Sequence, residues 1–209
     1  MSRRVHRVPL PAGAADYLRA ADPVLAGVID RVGDFEPSHQ PDLWRSLVDA
    51  LAGQQLSVKA ADAIVARIAA LAGDEDGFPG PERILATPDE VLRACGLSGP
   101  KTRYLRDLAG KWIDGTLHPE RYAEASDAEI VEELTQVRGI GRWTAEMVLI
   151  FTLSRPDVLP VGDLGLRAAV QRAWELPERP KEAEVERLGE AWRPYRSVAT
   201  HYLWRSLNT

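Results

Sequence analysis

Apolar residues recur along this chain at spacings of three and four, and almost nowhere do they alternate with polar ones. Pro9 and Pro11 mark residues 1 to 12 as extended, and residues 16 to 32 read as one or two short helices interrupted near Pro23. A helix-rich stretch opens at Pro41-Asp42. It runs through Leu43, Leu47, Ala50 and Leu51, turns at Gly53-Gln54-Gln55, and resumes with Val58, Ala61, Ile64, Val65, Ile68 and Leu71. Residues 73–81 form a loop of acid, Gly and Pro. Pro88-Asp89 starts a helix that ends near Cys95 with Gly96 as its stop, and Ser98-Gly99-Pro100-Lys101 leads into Leu105, Leu108 and Trp112.

Ile130, Leu134 and Val137 precede Gly139-Ile140-Gly141, and Ala145, Val148, Leu149, Phe151 and Thr152 follow it, so the spacing predicts helix, glycine hairpin, helix. Residues 166–174, 183–192 and 197–207 read as further helices, with Pro177 and Pro180 between the first two. The fold class is therefore all-α. Two helical lobes with a cleft between them are expected, one of residues 41–155 carrying the hairpin and one of residues 1–40 with 156–209.

Composition narrows this further. A chain of 209 residues can bury a sizeable core. No apolar run is long enough for a bilayer and Met1-Ser2-Arg3-Arg4-Val5-His6 lacks the core of a signal peptide, so a cytoplasmic location is expected. The single cysteine, Cys95, excludes an internal disulfide and a cysteine-ligated cluster, and its apolar neighbours mark a buried thiol. Four histidines without ligand spacing give no catalytic metal, and no cofactor is expected. The net charge of −5 opposes bulk nucleic-acid binding. Binding follows the local field, however. Acids gather in Asp74-Glu75-Asp76, Asp127 to Glu133 and Glu178 to Glu190, whereas Lys101, Arg103, Arg106, Arg138 and Arg142 lie near the turns at 96–101 and 138–142.

Glycines flanking one apolar residue at a helix start can aim bare amides at a phosphate. No strand precedes them and no Lys-Ser/Thr pair follows, so this is a nucleic-acid backbone grip rather than a nucleotide loop. Asp163, in Pro160-Val161-Gly162-Asp163-Leu164-Gly165-Leu166, is either a helix N-cap, a catalytic carboxylate, or both.

Gly139-Ile140-Gly141-Arg142-Trp143-Thr144-Ala145 with a downstream Asp163 resembles the helix-hairpin-helix DNA glycosylase superfamily, and within it the 3-methyladenine DNA glycosylase II branch. Leu51-Ala52-Gly53-Gln54-Gln55-Leu56-Ser57-Val58 resembles the base-displacing turn of that family, and Trp192-Arg193-Pro194-Tyr195-Arg196-Ser197 its C-terminal helix pair, so the likeness covers roughly residues 41 to 209. The chain ahead of the first motif is too short for the separate α/β domain that some members carry.

The resemblance implies a monomer that acts on damaged double-stranded DNA and hydrolyses the bond to an alkylated base. Asp163 would stabilise the cation-like sugar. Trp143 stands where strand-cutting relatives have a lysine, which implies a monofunctional enzyme; it would either face a cationic base or pack in the core. Trp192 and Tyr195 are further candidates for the base pocket. Gln54, Gln55 and Leu56 would fill the gap left by the base, the wedge being Gln55 or Leu56. Arg138, Gly139, Ile140, Gly141, Arg142, Thr144 and Lys101 would hold the DNA backbone, with Glu132 and Glu133 as alternative partners for the two arginines. A monovalent cation is expected at the Val137 and Gly139 carbonyls. Other readings are a glycosylase for oxidised or deaminated bases and a non-catalytic DNA grip, which would have no need of Asp163.

Overall fold

Helix starts along the chain are written in side chains that accept hydrogen bonds from otherwise unpaired first-turn amides. The computed structural model describes residues 6–72 and 77–209, so part of the 73–81 loop, with Asp74-Glu75-Asp76, and residues 1–5 lie outside the described residues. Among the described residues there are twelve α-helices: α1 (Ala14–Ala21), α2 (Pro23–Val32), α3 (Leu43–Gly53), α4 (Val58–Ala69), α5 (Pro81–Ala86), α6 (Asp89–Ala94), α7 (Gly99–Ile113), α8 (Asp127–Leu134), α9 (Arg142–Phe151), α10 (Leu164–Ala173), α11 (Glu182–Gly189) and α12 (Arg196–Ser206). Asp22, Asp42, Ser57, Ser98 and Asp163 cap α2, α3, α4, α7 and α10 through their side chains. Ser126 and Glu129 form a reciprocal capping box on α8.

The all-α expectation holds, with one addition. A two-residue antiparallel pair joins β1 (His6–Arg7) to β2 (Ser38–His39), too short to leave an alternating signature. Helix α5 was also absent from the pattern; six residues behind Pro81, with only Ile84 buried, fall below the reach of periodicity. No helix among the described residues is long and apolar enough to cross a membrane.

The chain divides into two units. One comprises Gln40–Val148; the other combines Leu149–Thr209 with the N-terminal segment ending at His39. The second break thus falls inside α9, ahead of the boundary expected at residue 155. The first unit buries Leu47, Ile68, Ile84, Leu92, Leu105, Leu108, Ile130 and Leu134, with α7 packed on α3, α5 and α6. Trp44 closes it by donating to the Pro79 carbonyl at 2.8 Å and lying edge-on to Trp112. The second unit is centred on Leu18, Leu25, Ile29, Leu166, Val170, Val185, Trp192, Tyr202 and Leu203.

Candidate functional site

Two glycines two residues apart serve different ends in the hairpin between α8 and α9. Gly139 sits at φ 87°, in the left-handed region, and a Cβ there would overlap the ring of Tyr104. Only glycine fits. Gly141 has no positive φ and a Cβ on it would meet nothing within 4 Å. Its bareness serves no internal purpose; it keeps the surface at the amide end of α9 clear. Val137 and Ile140 are buried, and the Ile140 amide donates to the Val137 carbonyl at 3.0 Å, so this side chain anchors the turn.

Arg138 and Arg142 project beside it, their side chains 74% and 76% exposed. Their acidic neighbours are not Glu132 and Glu133. Asp107 accepts from the Arg138 amide at 2.8 Å and faces its guanidinium at 3.7 Å, while Glu146 accepts from Arg142 at 2.9 Å. Glu133 is turned inward, accepting the Tyr122 hydroxyl at 2.6 Å. Burial, and then this carboxylate, push the Tyr122 phenol well above the usual tyrosine range.

The side chains of Thr144 and Lys101, both expected at the DNA backbone, are turned into the protein, as is that of Arg106 near the same turns. Thr144 is buried, on the inward face of α9 with Ala145 and Val148. Lys101 donates its ammonium to the carbonyls of Ala52 at 2.9 Å and Gln54 at 2.7 Å, and burial pulls its pKa below the ordinary lysine value. Arg106 braces α5 and α6 through Asp89 and the Leu85 and Thr87 carbonyls. Acidic residues outnumber basic ones in this unit, and at the hairpin the two exposed arginines each face one carboxylate.

At the end of α3 the Leu56 amide closes on the Gly53 carbonyl at 3.1 Å, and Gln55 is exposed at φ 58°. Gln55 and Leu56, the latter 43% exposed, both project outward. Gln54 does not belong with them: its amide donates to the Gly139 carbonyl at 2.7 Å, joining this turn to the hairpin. The two carbonyls expected to hold a monovalent cation, Val137 and Gly139, each accept one hydrogen bond within the protein, from the Ile140 amide and from Gln54, which leaves each oxygen a second lone pair.

Asp163 caps α10, accepting the Leu166 amide at 2.6 Å, and the same carboxylate oxygen accepts the Trp204 indole N–H at 2.7 Å. Trp204 stacks on Phe151, with ring centroids 5.7 Å apart and 12° between planes, while His201 stands edge-on to both. Burial, with a smaller contribution from Arg205, holds the His201 imidazole at a pKa of about 4, so it is neutral near pH 7. Gly165 leaves the room: a Cβ there would lie 3.1 Å from the Asp163 oxygen and 3.4 Å from the indole. Two donors on one oxygen fix the rotation of the carboxylate while capping the helix. Trp204 escaped the sequence reading because 41 residues separate it from Asp163.

Trp143 is 51% exposed on the first turn of α9, which removes the core alternative. Trp192 is the reverse case. It is fully buried, donates to Asp22 at 3.0 Å and lies against Trp174, so it is a core residue and not part of a base pocket. Tyr195 is half-buried, edge-on to Tyr17 at 5.5 Å.

Comparison with known proteins gives this arrangement its place. Residues 48–194 match the family described as HhH-GPD superfamily base excision DNA repair protein. The chain is 37% identical over 194 residues to DNA-3-methyladenine glycosylase 1 of Schizosaccharomyces pombe, covering 91% of this chain and 85% of the relative. It superposes with a TM-score of 0.83 on the S. pombe 3-methyladenine DNA glycosylase solved in complex with abasic DNA, at 36% identity over 95% of this chain and 98% of that one. With a DNA-3-methyladenine glycosidase from Bacillus halodurans the TM-score is 0.88, at 34% identity over 98% of this chain and 93% of that one. By profile, by sequence and by fold, the chain belongs to the HhH-GPD superfamily of base excision DNA repair proteins.

Proposed function

We propose that this protein is a monofunctional DNA glycosylase, active as a monomer, that hydrolytically releases alkylated bases of the 3-methyladenine and 7-methylguanine type from duplex DNA. The observation that carries the reading is the Asp163 carboxylate, fixed by Leu166 and Trp204 in a chain whose position 143 is Trp rather than Lys. When the base leaves, the electrons of the C–N bond go with it and the sugar carbon turns cationic. A fixed carboxylate stabilises that charge and orients the water that adds to it. An alkylated ring already carries positive charge, so no strong general acid is needed. The exposed face of Trp143 attracts such a ring by about 1–2 kcal/mol once water is excluded. The hairpin amides of Gly139, Gly141 and Arg142 hold a phosphate, with Arg138 and Arg142 beside them and Ile140, whose amide is turned to the Val137 carbonyl, anchoring the turn, and Gln55 or Leu56 fills the gap.

The deciding experiment is single-turnover base release across duplexes carrying 3-methyladenine, 7-methylguanine, 1,N6-ethenoadenine, hypoxanthine or uracil, with Asp163→Asn alongside. Asparagine keeps the shape and the capping oxygen but not the charge. Release of the two cationic bases, lost in the variant while duplex binding persists, is the expected result. Near-native turnover by the variant sinks the assigned role of Asp163.

A further inference from the structure

Helix α7 offers one face to both turns of the hairpin-bearing unit. Lys101, Tyr104 and Asp107 follow each other at intervals of three, so they line one side of it. Lys101 holds the Ala52 and Gln54 carbonyls, at the end of α3 and in the turn that projects Gln55. Tyr104 lies against Gly139. Asp107 accepts the Arg138 amide and, on the same oxygen, the Lys111 ammonium at 2.7 Å. Gln54 then ties one turn to the other through the Gly139 carbonyl.

We infer that Lys101 is a positioning residue for the gap-filling turn: through the Ala52 and Gln54 carbonyls it keeps Gln55 in its left-handed, outward conformation and in register with the hairpin. The inference rests on the reading that this turn enters the duplex. Its physical basis is plain. Gln55 at φ 58° occupies a conformation disfavoured for a residue with a side chain, and such a conformation persists only where its surroundings over-determine it. The last carbonyls of a helix are its negative end, which an ammonium satisfies and an apolar side chain does not. Without those bonds the turn relaxes and Gln55 leaves its direction, although the hairpin and its arginines stay in place. A lysine spent on carbonyls also differs measurably from one on a phosphate. The latter releases a counterion from DNA and steepens the salt dependence of binding by about one unit of slope.

The test uses the full chain and two duplexes, one undamaged and one carrying a tetrahydrofuran abasic analogue, titrated at several salt concentrations. Lys101→Met keeps the stem and removes the donors. It is expected to lower the preference for the abasic duplex about tenfold, the scale of a lost charged hydrogen bond. The salt slope on undamaged duplex should stay unchanged. Gln55→Ala, which lowers the same preference in the native chain, should add nothing in the Lys101→Met background. Gln54→Leu cuts only the tie to Gly139 and should lower the preference in the same way, giving a second measurement if Lys101→Met folds poorly. A slope reduced by about one with the preference retained makes Lys101 a phosphate contact and overturns the inference, as does full additivity with Gln55→Ala. If Gln55→Ala is effective and Lys101→Met is silent, only the role of Lys101 falls. If Gln55→Ala itself is silent, the gap-filling reading of the turn falls, and the inference with it.

Discussion

A single methyl group added at Gly139 or at Gly141 should have opposite consequences. At Gly139 alanine must adopt φ 87°, which costs about 1–2 kcal/mol. Its Cβ also overlaps the Tyr104 ring, and forcing an extra methyl into a packed place adds roughly 1–3 kcal/mol. Gly139→Ala should therefore lose about 2–5 kcal/mol, read as a fall of roughly 10 °C in Tm for a chain of this size. At Gly141 the new Cβ meets nothing and φ is unstrained, so the substitution should leave stability unchanged or raise it by about 0.4–1 kcal/mol through the unfolded chain. Its effect should appear only in DNA binding, as a common loss of affinity for damaged and undamaged duplexes, because a phosphate contact carries no sequence or lesion information. Thermal melts and fluorescence titrations on the two variants separate these outcomes. Tyr104→Ala combined with Gly139→Ala should recover the packing part and leave the backbone part. If Gly139→Ala melts like the native protein, or Gly141→Ala loses comparable stability, the division between an internal constraint and a cleared surface is wrong.

Three further outcomes are expected. Trp143→Ala should slow release of 7-methylguanine more than of hypoxanthine, and the native chain, lacking an amine at this position, should give no borohydride-trapped adduct with DNA; equal losses on both lesions, or a trapped adduct, would count against these roles. His201, at a pKa of about 4 in the folded chain against an ordinary 6.5, takes up its proton more readily when unfolded. Stability should thus fall as pH drops from about 6.5 to about 4, by up to about 3 kcal/mol from this group, and His201→Phe should flatten that decline in urea melts. Parallel pH profiles for the two chains would refute a buried neutral imidazole.

Much of this was legible in the chain because helix spacing and caps are local. The hairpin followed from apolar residues on either side of Gly139 and Gly141, and the capping role of Asp163 from its place before Leu164 and Leu166. The missed signals were of two kinds. Some were present: Val185, Leu188 and Trp192 share helical spacing, which marks Trp192 as core, and Thr144 lies four residues before the buried Val148. Others were not local at all. Nothing near Lys101 tells whether its long stem reaches a phosphate or the carbonyls of residues 47 and 49 positions away, and nothing near Asp163 names Trp204.

The second unit is discontinuous in sequence, which bears on how the chain comes off the ribosome. Helices α1 and α2 bury Leu18, Leu25, Val28 and Ile29 in a core completed by α10, α11 and α12. At elongation rates of about 5–20 residues per second, those apolar faces wait on the order of ten seconds for α12 to be made. The contiguous stretch Gln40–Val148 has everything its own core requires before then. Vectorial synthesis therefore favours an order in which the hairpin-bearing unit condenses first and the Asp163-bearing unit closes last. The nascent protein thus acquires its proposed grip on DNA before its proposed chemistry, and the early helices are the surface most in need of a chaperone.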